Sequence, residues 1–335
     1  MQPITEQRLI DAFHAQLGPA IRDALDCPTV VEVMVNDCGR VRLDTIDKGR
    51  IETSYVMPAG ATEAIIRLVA HHIGATVSDD QPLVAGTIPL TGERFQGVLP
   101  PLTNAPNFTI RKRPTSIFRL DDYVRGGIVS ESRADMLRRA VAEHQNILAS
   151  GGTSSGKTTL LNALLAEPAL AEDRVVIIED TRELQCAARD QVQLLTKRTE
   201  PKITIRDLVQ TTLRLRPDRI VVGEIRDGAG ALDMLKAWNT GHDGGLGTLH
   251  ANSGSDALHR LEDLISEVAV NVPYRLIGHA VDLVVQIRRT PRGRRIDEIV
   301  AVQGYDAGRY LTQDLTSEAE PVQLLSINQP ERTPS

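Results

Sequence analysis

The sequence contains few aromatic residues, few cysteines and no long hydrophobic run. Aromatic side chains make up only 3% of the chain, too few for the stacking platforms that bind single-stranded nucleic acid. The three cysteines, Cys27, Cys38 and Cys186, are scattered with no CxxC pair, which excludes a four-cysteine zinc site and is typical of a reducing cytoplasm. No apolar stretch approaches the length of a membrane span, and the N-terminus has no basic-then-apolar signal. These absences predict a cytoplasmic protein.

An excess of positive charge is also absent. The chain has 38 basic and 44 acidic residues and a net charge of -6. A broad DNA-binding surface attracts phosphates with basic side chains, so this balance argues against direct nucleic-acid binding. The basic clusters Arg111–Arg113 and Arg288–Arg295 are explained by solvated faces or partner contacts. With 41% hydrophobic residues, the 335-residue chain has an ordinary globular composition and enough length for two domains.

The most informative stretch present is Asn146–Leu165, NILASGGTSSGKTTLLNALL. A short apolar run, a loop matching GxxxxGK[ST] and a run of helix formers follow one another, the context of a phosphate-binding loop. Glycine lets the backbone aim its N–H groups at phosphate oxygens, and the helix start adds donors and the positive end of its dipole. The predicted nucleotide-binding residues are Gly151, Gly152, Thr153, Ser154, Ser155, Gly156, Lys157, Thr158 and Thr159.

Within this loop, two side chains have predicted contacts with ATP and Mg²⁺. Lys157 would reach the β- and γ-phosphates, and the Thr158 hydroxyl would ligate Mg²⁺. A solvated Gly/Ser turn before a surface helix is the alternative. It explains the glycines, but neither the Lys-Thr pair nor the strand before the loop.

Secondary-structure patterns differ before and after a break near residue 114. Before it, we predict helices at 4–25 and 63–77, hairpins at 30–46 and 83–99, and a strand at 108–112. After it, the predicted strands are 146–150, 174–179, 192–195, 220–222, 246–250, 284–287 and 295–302. The predicted helices are 131–143, 205–214, 229–238, 256–267 and 274–281. This alternation predicts a mostly parallel sheet covered by helices.

These patterns give a division into domains. Residues 114–130 hold a proline, a Gly126-Gly127 pair and mixed charge, which is typical of an interdomain linker with a short helical piece. We expect an N-terminal α+β domain at 1–113, this linker, an ATPase domain at 131–316 and a flexible tail at 317–335.

An acidic pair follows a predicted buried strand in Ile177–Leu184, IIEDTREL. Ligands bind at the carboxyl ends of strands in open α/β sheets. Glu179 could therefore orient or deprotonate an attacking water. Equally, Glu179 and Asp180 could be helix-capping or salt-bridged carboxylates, and the sequence leaves both possibilities open.

The stretch Arg216–Asp227, RPDRIVVGEIRD, resembles a Walker B strand, whose terminal carboxylate holds Mg²⁺ directly or through water. The acid here is Glu224. It comes after Gly223, later than the usual acid directly at the strand end, so this form is atypical.

Two histidines lie among four glycines in Thr240–Ser253, TGHDGGLGTLHANS. His250, with His242, could belong to a mobile sensor of the γ-phosphate. A zinc pair is the alternative, but no further Cys or His lies close by in the sequence.

Taken together, these stretches resemble the secretion ATPases of type II and type IV systems. Four stretches occur in that family's order and at similar spacings. They are the phosphate loop (151–158), the acidic box (177–184), the Walker B stretch (216–227) and the histidine box (240–253). PLVAGTIPLTGERFQGVLPP followed by FTIRKR resembles an arginine-bearing segment of the family. The resemblance covers roughly residues 80–290. The short N-terminal domain and the lack of a four-cysteine module resemble the conjugal-transfer branch most.

The resemblance implies an α/β fold with a RecA-like P-loop NTPase core and a smaller mixed α+β N-terminal domain. It also implies a ring, usually a homohexamer, with nucleotide between the two domains. The ring would be peripheral to the cytoplasmic face of the inner membrane, docked on inner-membrane components of a secretion or conjugation complex. Glu179 would be the base and Glu224 would serve the metal-bound water.

Arg94 and Arg111 match family arginines that reach the γ-phosphate. In the strand that ends at Arg111, side chains alternate faces, so Arg111 and Thr109 share one face and Phe108 and Ile110 the other. Such arginines are ordinarily solvated or paired with an acid. A planar guanidinium nevertheless suits bidentate contact with phosphate.

The leading hypothesis is a Mg²⁺-dependent ATPase that powers pilus assembly or substrate transfer. A P-loop kinase would need an acceptor pocket and a lid, and the sequence contains no signal for either. A nucleotide-gated scaffold with negligible turnover is the other alternative. The presence of both Glu179 and Glu224 argues against it, and phosphate release would decide.

Overall fold

Two β-sheets organise the computed structural model, which describes residues 3–45, 48–88, 92–113, 117–197, 200–290 and 293–316. The helices in these ranges are α1 (Pro3–Asp26), α2 (Ala59–His72), α3 (Leu120–Arg125), α4 (Glu131–Ala142), α5 (Lys157–Leu165), α6 (Ile205–Thr212), α7 (Gly228–Trp238), α8 (Gly254–Ser266) and α9 (Tyr274–Ala280). The strands of the first sheet are β1 (Val30–Val35), β2 (Arg40–Thr45), β3 (Gly49–Val56), β4 (Leu83–Thr87), β5 (Arg94–Val98) and β6 (Asn107–Arg111). Those of the second sheet are β7 (Ile147–Ser150), β8 (Arg174–Glu179), β9 (Asp190–Leu195), β10 (Arg219–Ile225), β11 (Leu246–Leu249), β12 (Leu283–Thr290), β13 (Gly293–Asp306) and β14 (Arg309–Asp314).

The first sheet is antiparallel, in the order β3-β2-β1-β6-β5-β4. Helices α1 and α2 pack against it through a buried apolar cluster that includes Phe13, Leu17, Ile65 and Phe95. Both predicted hairpins are present, with residues 46, 47 and 89–91 outside the described ranges. Strand β3 was not predicted, because it is an edge strand whose side chains are mostly exposed and carry no alternating apolar pattern.

Glycines define the ends and interruptions of the first two helices. Gly18 has a left-handed φ of 70° and interrupts α1 before Pro19. The predicted end of the second helix at Val77 was wrong. Gly74 has a φ of 67°, and hydrogen bonds from Gly74 N–H to His71 and from Ala75 N–H to Ala70 form a Schellman cap.

The second sheet is mostly parallel, as predicted, in the order β14-β13-β12-β7-β11-β10-β8-β9. All neighbours from β12 to β9 run parallel, and β13 and β14 add an antiparallel edge. Helices α3–α5 share an apolar core with one face, and α6–α9 share another with the opposite face. Strand β14 was not predicted, because its edge position leaves most of its side chains exposed or half-exposed.

Strand β7 occupies the middle of this sheet, and its four residues are fully buried. The parallel neighbours place the carboxyl ends of β8, β10 and β11 at the same edge as the end of β7. Helix α3 supplies the short helical piece predicted within 114–130. The domain boundaries themselves stay predictions, and the tail 317–335 lies outside the described residues. None of the helices within the described ranges is long and apolar enough to cross a membrane.

Candidate nucleotide-binding site

The glycine-rich loop connects the end of β7 at Ser150 to the start of α5 at Lys157. Gly151 and Gly156 have positive φ values of 155° and 108°, which side chains rarely adopt. A Cβ at Gly151 would also overlap the carbonyl oxygen of Ile287 in β12. The loop backbone therefore lies tightly against the neighbouring strand, in a path that requires glycine.

The other predicted loop residues surround the start of α5. Gly152, Thr153 and Ser154 are exposed, and Thr158 and Thr159 are half-buried in the first helical turn. Ser155 is buried, and its hydroxyl has no hydrogen-bond partner among the described residues. The loop thus presents exposed backbone and one buried hydroxyl at a helix start, where N–H groups lack intrahelical partners.

The Lys157 ammonium is folded onto the loop. Its Nζ donates to the carbonyl oxygens of Gly151 at 3.0 Å and Gly152 at 2.8 Å, and lies 3.3 Å from His250 Nδ1. Burial lowers the Lys157 pKa to about 8, and the charges of Arg111 and Arg226 act in the same direction against that of Glu224. A buried ammonium in this setting favours the approach of an anion.

A β-bulge explains the unusual position of Glu224. Between β10 and β11, Val222 pairs with Gly247 and Ile225 with Leu249, so two residues of β10 face one of β11. Bulges beside functional sites re-aim side chains. The predicted strand end at Val222 was wrong, because β10 continues through the bulge to Ile225.

Gly223, in the same bulge, leaves room for the Glu179 side chain of β8. A Cβ at Gly223 would lie 3.0 Å from Glu179 Cγ, so a larger residue would displace the Glu179 side chain. The glycine that made the Walker B stretch atypical therefore makes room for the acidic box.

The Glu224 carboxylate has two basic partners. His250 Nε2 lies 2.9 Å from Oε1, and the Arg226 guanidinium donates to Oε2. Burial raises the Glu224 pKa, but the hydrogen bond and charge of Arg226, with the charges of His250 and Lys157, outweigh it and lower the pKa overall. Glu224 is therefore a carboxylate at neutral pH.

His250 bridges Lys157 and Glu224. With Lys157 donating to Nδ1, the ring proton lies on Nε2 and is donated to Glu224. Burial lowers the His250 pKa, and the charge of Lys157 lowers it further, so the ring is neutral. The described residues include no group of three or more His, Cys, Asp or Glu arranged to hold a metal, and His242 Nδ1 is buried without a hydrogen-bond partner there.

Glu179 combines one bonded and one unbonded oxygen at the end of β8. Its Oε1 accepts hydrogen bonds from the backbone N–H groups of Glu183 and Leu184, both at 2.8 Å. Its Oε2 is buried with no partner in the part of the chain that the structure describes. Burial raises the Glu179 pKa despite the two N–H donors. Oε1 therefore fixes the loop that follows β8, whereas Oε2 takes no part in those hydrogen bonds.

Asp180 is one of the salt-bridged carboxylates that the sequence allowed. It pairs with Arg226 at 2.8 Å and accepts a hydrogen bond from Thr196 Oγ1 at 2.7 Å. Six side chains thus form one continuous row of polar contacts, in the order Lys157, His250, Glu224, Arg226, Asp180 and Thr196. The row follows the sheet order β7-β11-β10-β8-β9 along the carboxyl edge.

Two members of the site were missed by sequence reasoning. Arg226 stands two residues after Glu224, and this spacing was its only signal. Asn162, in α5, is buried and donates from Nδ2 to the Glu183 carbonyl at 3.1 Å, and its Oδ1 accepts from Gln185 N–H at 2.9 Å. Asn162 therefore ties the helix after the phosphate loop to the acidic-box segment, a long-range contact that no sequence pattern indicates.

The first sheet brings Arg94 and Arg111 to the same site. They are directly paired across β5 and β6, and both are half-buried. Arg94 Nη1 lies 3.9 Å from Glu183 Oε1, and the charge of Arg111 contributes to the lowered pKa of Lys157. Phe108 and Ile110 are buried while Arg111 is not, so the predicted alternation of faces is confirmed.

Comparisons with known proteins identify the family of the chain. The model of the type II/IV secretion system protein family matches residues 92–310. The chain is 45% identical to the probable conjugal transfer protein TrbB of Sinorhizobium fredii, covering 93% of this chain and 96% of that protein. It is 32% identical to the type IV secretion system protein PtlH of Bordetella pertussis, covering 84% and 92%.

Two solved structures share the fold at 18% identity. The first is the pilus retraction motor PilT with bound ADP, with a TM-score of 0.62 over 84% of this chain and 80% of that chain. The second is the Legionella pneumophila ATPase DotB, with a TM-score of 0.58 over 88% of this chain and 79% of that chain. The predicted fold class is confirmed, with a RecA-like core and a smaller mixed N-terminal part. The predicted resemblance to conjugal-transfer proteins is confirmed as well. The chain belongs to the type II/IV secretion system protein family.

Proposed function

We propose that this chain is a Mg²⁺-dependent ATPase that hydrolyses ATP to ADP and phosphate and powers a conjugal-transfer or type IV secretion system. The row that begins at Lys157 carries this proposal. It connects a phosphate-loop lysine through His250 to an ionised Glu224, at the sheet edge where α/β folds bind ligands.

The loop residues would hold the nucleotide. Backbone N–H groups from Gly151 to Thr159 would bind phosphate oxygens, and the Lys157 ammonium would leave the loop carbonyls to contact the β- and γ-phosphates. Its lowered pKa of about 8 reflects burial that the phosphate charge would offset.

Thr158 and Glu224 fit a magnesium site of the P-loop kind. Mg²⁺ is usually held by one or two protein oxygens, substrate phosphates and water rather than by a full protein cage. A hydroxyl in the first turn of α5 and an ionised carboxylate on the β10 bulge would supply such oxygens, with Glu224 acting through water. When bound, Mg²⁺ neutralises charge that develops on the phosphates.

Glu179 suits the role of base better than Glu224. Its buried Oε2 has no hydrogen-bond partner among the described residues, and its raised pKa favours accepting a proton near neutral pH. Glu224 has a lowered pKa and two basic partners, which suits a carboxylate that remains charged beside a metal.

His250, Arg94 and Arg111 would sense the γ-phosphate. His250 contacts both Lys157 and Glu224, so a change at either would reach it directly. The paired arginines come from the first sheet, so their contact with the γ-phosphate would join the two sheets and its loss would release them. Hydrolysis would in this way drive a movement of the first sheet relative to the second.

We further propose a homo-oligomeric ring, a hexamer, that docks peripherally on the cytoplasmic face of the inner membrane through inner-membrane components of the transfer complex. The relatives' names, a conjugal transfer protein and a type IV secretion system protein, support this setting. The net charge of -6 argues against direct nucleic-acid binding.

Phosphate release tests the activity. The purified chain should release phosphate from ATP with Mg²⁺ and stop when EDTA is added. ATP binding without release would favour the nucleotide-gated scaffold. Negative-stain images with and without a non-hydrolysable ATP analogue test the ring, and particles that stay monomeric under both conditions would contradict it.

A further inference from the structure

The backbone of Glu183 is held by hydrogen bonds to a residue of β8 and to a residue of α5. Its backbone N–H donates to Glu179 Oε1 at 2.8 Å, and its carbonyl accepts from Asn162 Nδ2 at 3.1 Å. Glu179 ends β8 and Asn162 lies in the helix that begins at the phosphate loop. The position of Glu183 is therefore set by backbone contacts that do not involve its own carboxylate.

That carboxylate faces the arginine side of the first sheet. Its Oε1 lies 3.9 Å from Arg94 Nη1, and the two side chains are 24% and 38% exposed. Its negative charge also acts on Arg226 and on Glu179. Glu183 thus lies among the charged groups of the site. It is the acidic-box residue that pairs with Arg94.

We propose that Glu183 holds Arg94 until a γ-phosphate takes it over, so that Glu183 adjusts the preference of the site for ATP over ADP. This inference rests on the proposed function. A phosphate offers more charge than a carboxylate and can accept two parallel N–H bonds from a guanidinium. The pair with Glu183, at 3.9 Å, is longer than such bonds and is the weaker competitor.

The two nucleotides differ in what they demand of this pair. ADP lacks the γ-phosphate and leaves Glu183 and Arg94 together. ATP must separate them, so the ion pair weakens ATP binding and not ADP binding. After hydrolysis and phosphate release, Glu183 recaptures Arg94, which makes it a positioning residue that resets the arginine for the next turnover.

The test is calorimetry of Glu183→Gln with Mg–ADP and with Mg–AMP-PNP. The amide keeps the shape and both backbone bonds but removes the charge. We expect AMP-PNP to bind about two- to fivefold more tightly, the range set by partly exposed ion pairs, and ADP affinity to stay unchanged. A merely structural role would weaken both.

Glu172→Gln is the matched control. Glu172 forms an exposed pair with Arg189 before the start of β8, away from the carboxyl edge, so neither affinity should change. In an Arg94→Ala background, Glu183→Gln should have no further effect, since its partner is already absent.

Several results would overturn the inference. These are unchanged or weaker AMP-PNP binding in Glu183→Gln, equal tightening for ADP, or the same tightening without Arg94. If the wild-type chain binds and hydrolyses ATP, such a result rejects only the role of Glu183. If the wild-type chain binds neither nucleotide, both the proposed function and this inference fail.

Discussion

Arg94 and Arg111 are direct cross-strand partners on β5 and β6. Like charges in this position destabilise a sheet. Glu183 lies 3.9 Å from Arg94, whereas no carboxylate among the described residues lies within 4 Å of the Arg111 guanidinium. The pair therefore favours an anion placed between them, and under the proposed function that anion is the γ-phosphate of ATP.

Replacing either arginine should separate ATP recognition from ADP recognition. We expect Arg94→Ala and Arg111→Ala each to lower ATP turnover at least tenfold, since arginines that stabilise phosphoryl transfer are worth about 10³ to 10⁵ in rate. ADP affinity should barely change. Phosphate release and paired calorimetry with ADP and a non-hydrolysable analogue measure both. Unchanged turnover in both variants, or equal losses of affinity for the two nucleotides, would reject the sensor role.

Lys157→Ala should abolish ATP turnover and weaken nucleotide binding, because it removes the point charge on the β- and γ-phosphates. Lys236→Ala is the matched control, since Lys236 is exposed in α7 and pairs with Asp233. Melting temperatures of both variants test folding, because Lys157 is buried. Wild-type turnover in Lys157→Ala would contradict the assignment of 151–158 as the phosphate-binding loop.

Glu179→Gln and Glu224→Gln should retain nucleotide binding but lose most hydrolysis. An amide keeps the shape of the side chain but neither accepts a proton nor holds Mg²⁺ as well. Titration with Mg²⁺ separates the two roles. Higher Mg²⁺ should partly restore Glu224→Gln and not Glu179→Gln. Full activity of both variants would show that the two carboxylates are structural.

His250→Ala should slow hydrolysis more than it changes ATP affinity, because the ring connects Lys157 to Glu224. Turnover per folded molecule and analogue affinity should be measured together with the melting temperature. A lower melting temperature with unchanged turnover would mean that His250 serves only packing.

Asp282 should make stability depend on pH. Burial raises the Asp282 pKa to about 6, against the hydrogen bond from Asn146 N–H. Between about pH 4 and pH 6 the folded chain binds more protons at this group than the unfolded chain, so the free energy of unfolding falls as pH rises.

Asp282→Asn removes this titration and leaves a carbonyl oxygen to accept from Asn146. The free energy of unfolding of the variant, relative to wild type, should increase by roughly 2 kcal/mol from pH 4 to pH 7, slightly less than the full equivalent of a shift of about two pKa units. Urea unfolding at several pH values measures it. A difference that does not change with pH would contradict the prediction.

The sequence predicted the fold well where burial gives a strong pattern. Strands β7 and β8 each contain an unbroken apolar run and are fully or almost fully buried, so their positions follow from the sequence pattern. The edge strands β3 and β14 have mostly exposed or half-exposed side chains and resemble loops in sequence. Hydrophobic patterning therefore marks the centre of each sheet better than its edges.

Most residues of the candidate site were predicted, but Arg226, Asn162 and the geometry of the site were not. The four motifs indicated Lys157, Glu179, Glu224 and His250. Which groups touch depends on strand register, and the bulge at Gly223 shifts that register by one residue. No local pattern specifies such a shift, so the contact of Glu224 with His250 and Arg226 became visible only in three dimensions.

The row from Lys157 to Thr196 also constrains how such a chain can diverge. Basic and acidic groups follow one another, with the neutral His250 between Lys157 and Glu224. Losing Glu224 would deprive His250 and Arg226 of a partner at once, and losing Arg226 would leave two facing carboxylates. These residues lie in five separate segments of the chain, so a substitution in one segment removes a polar partner from a residue in another.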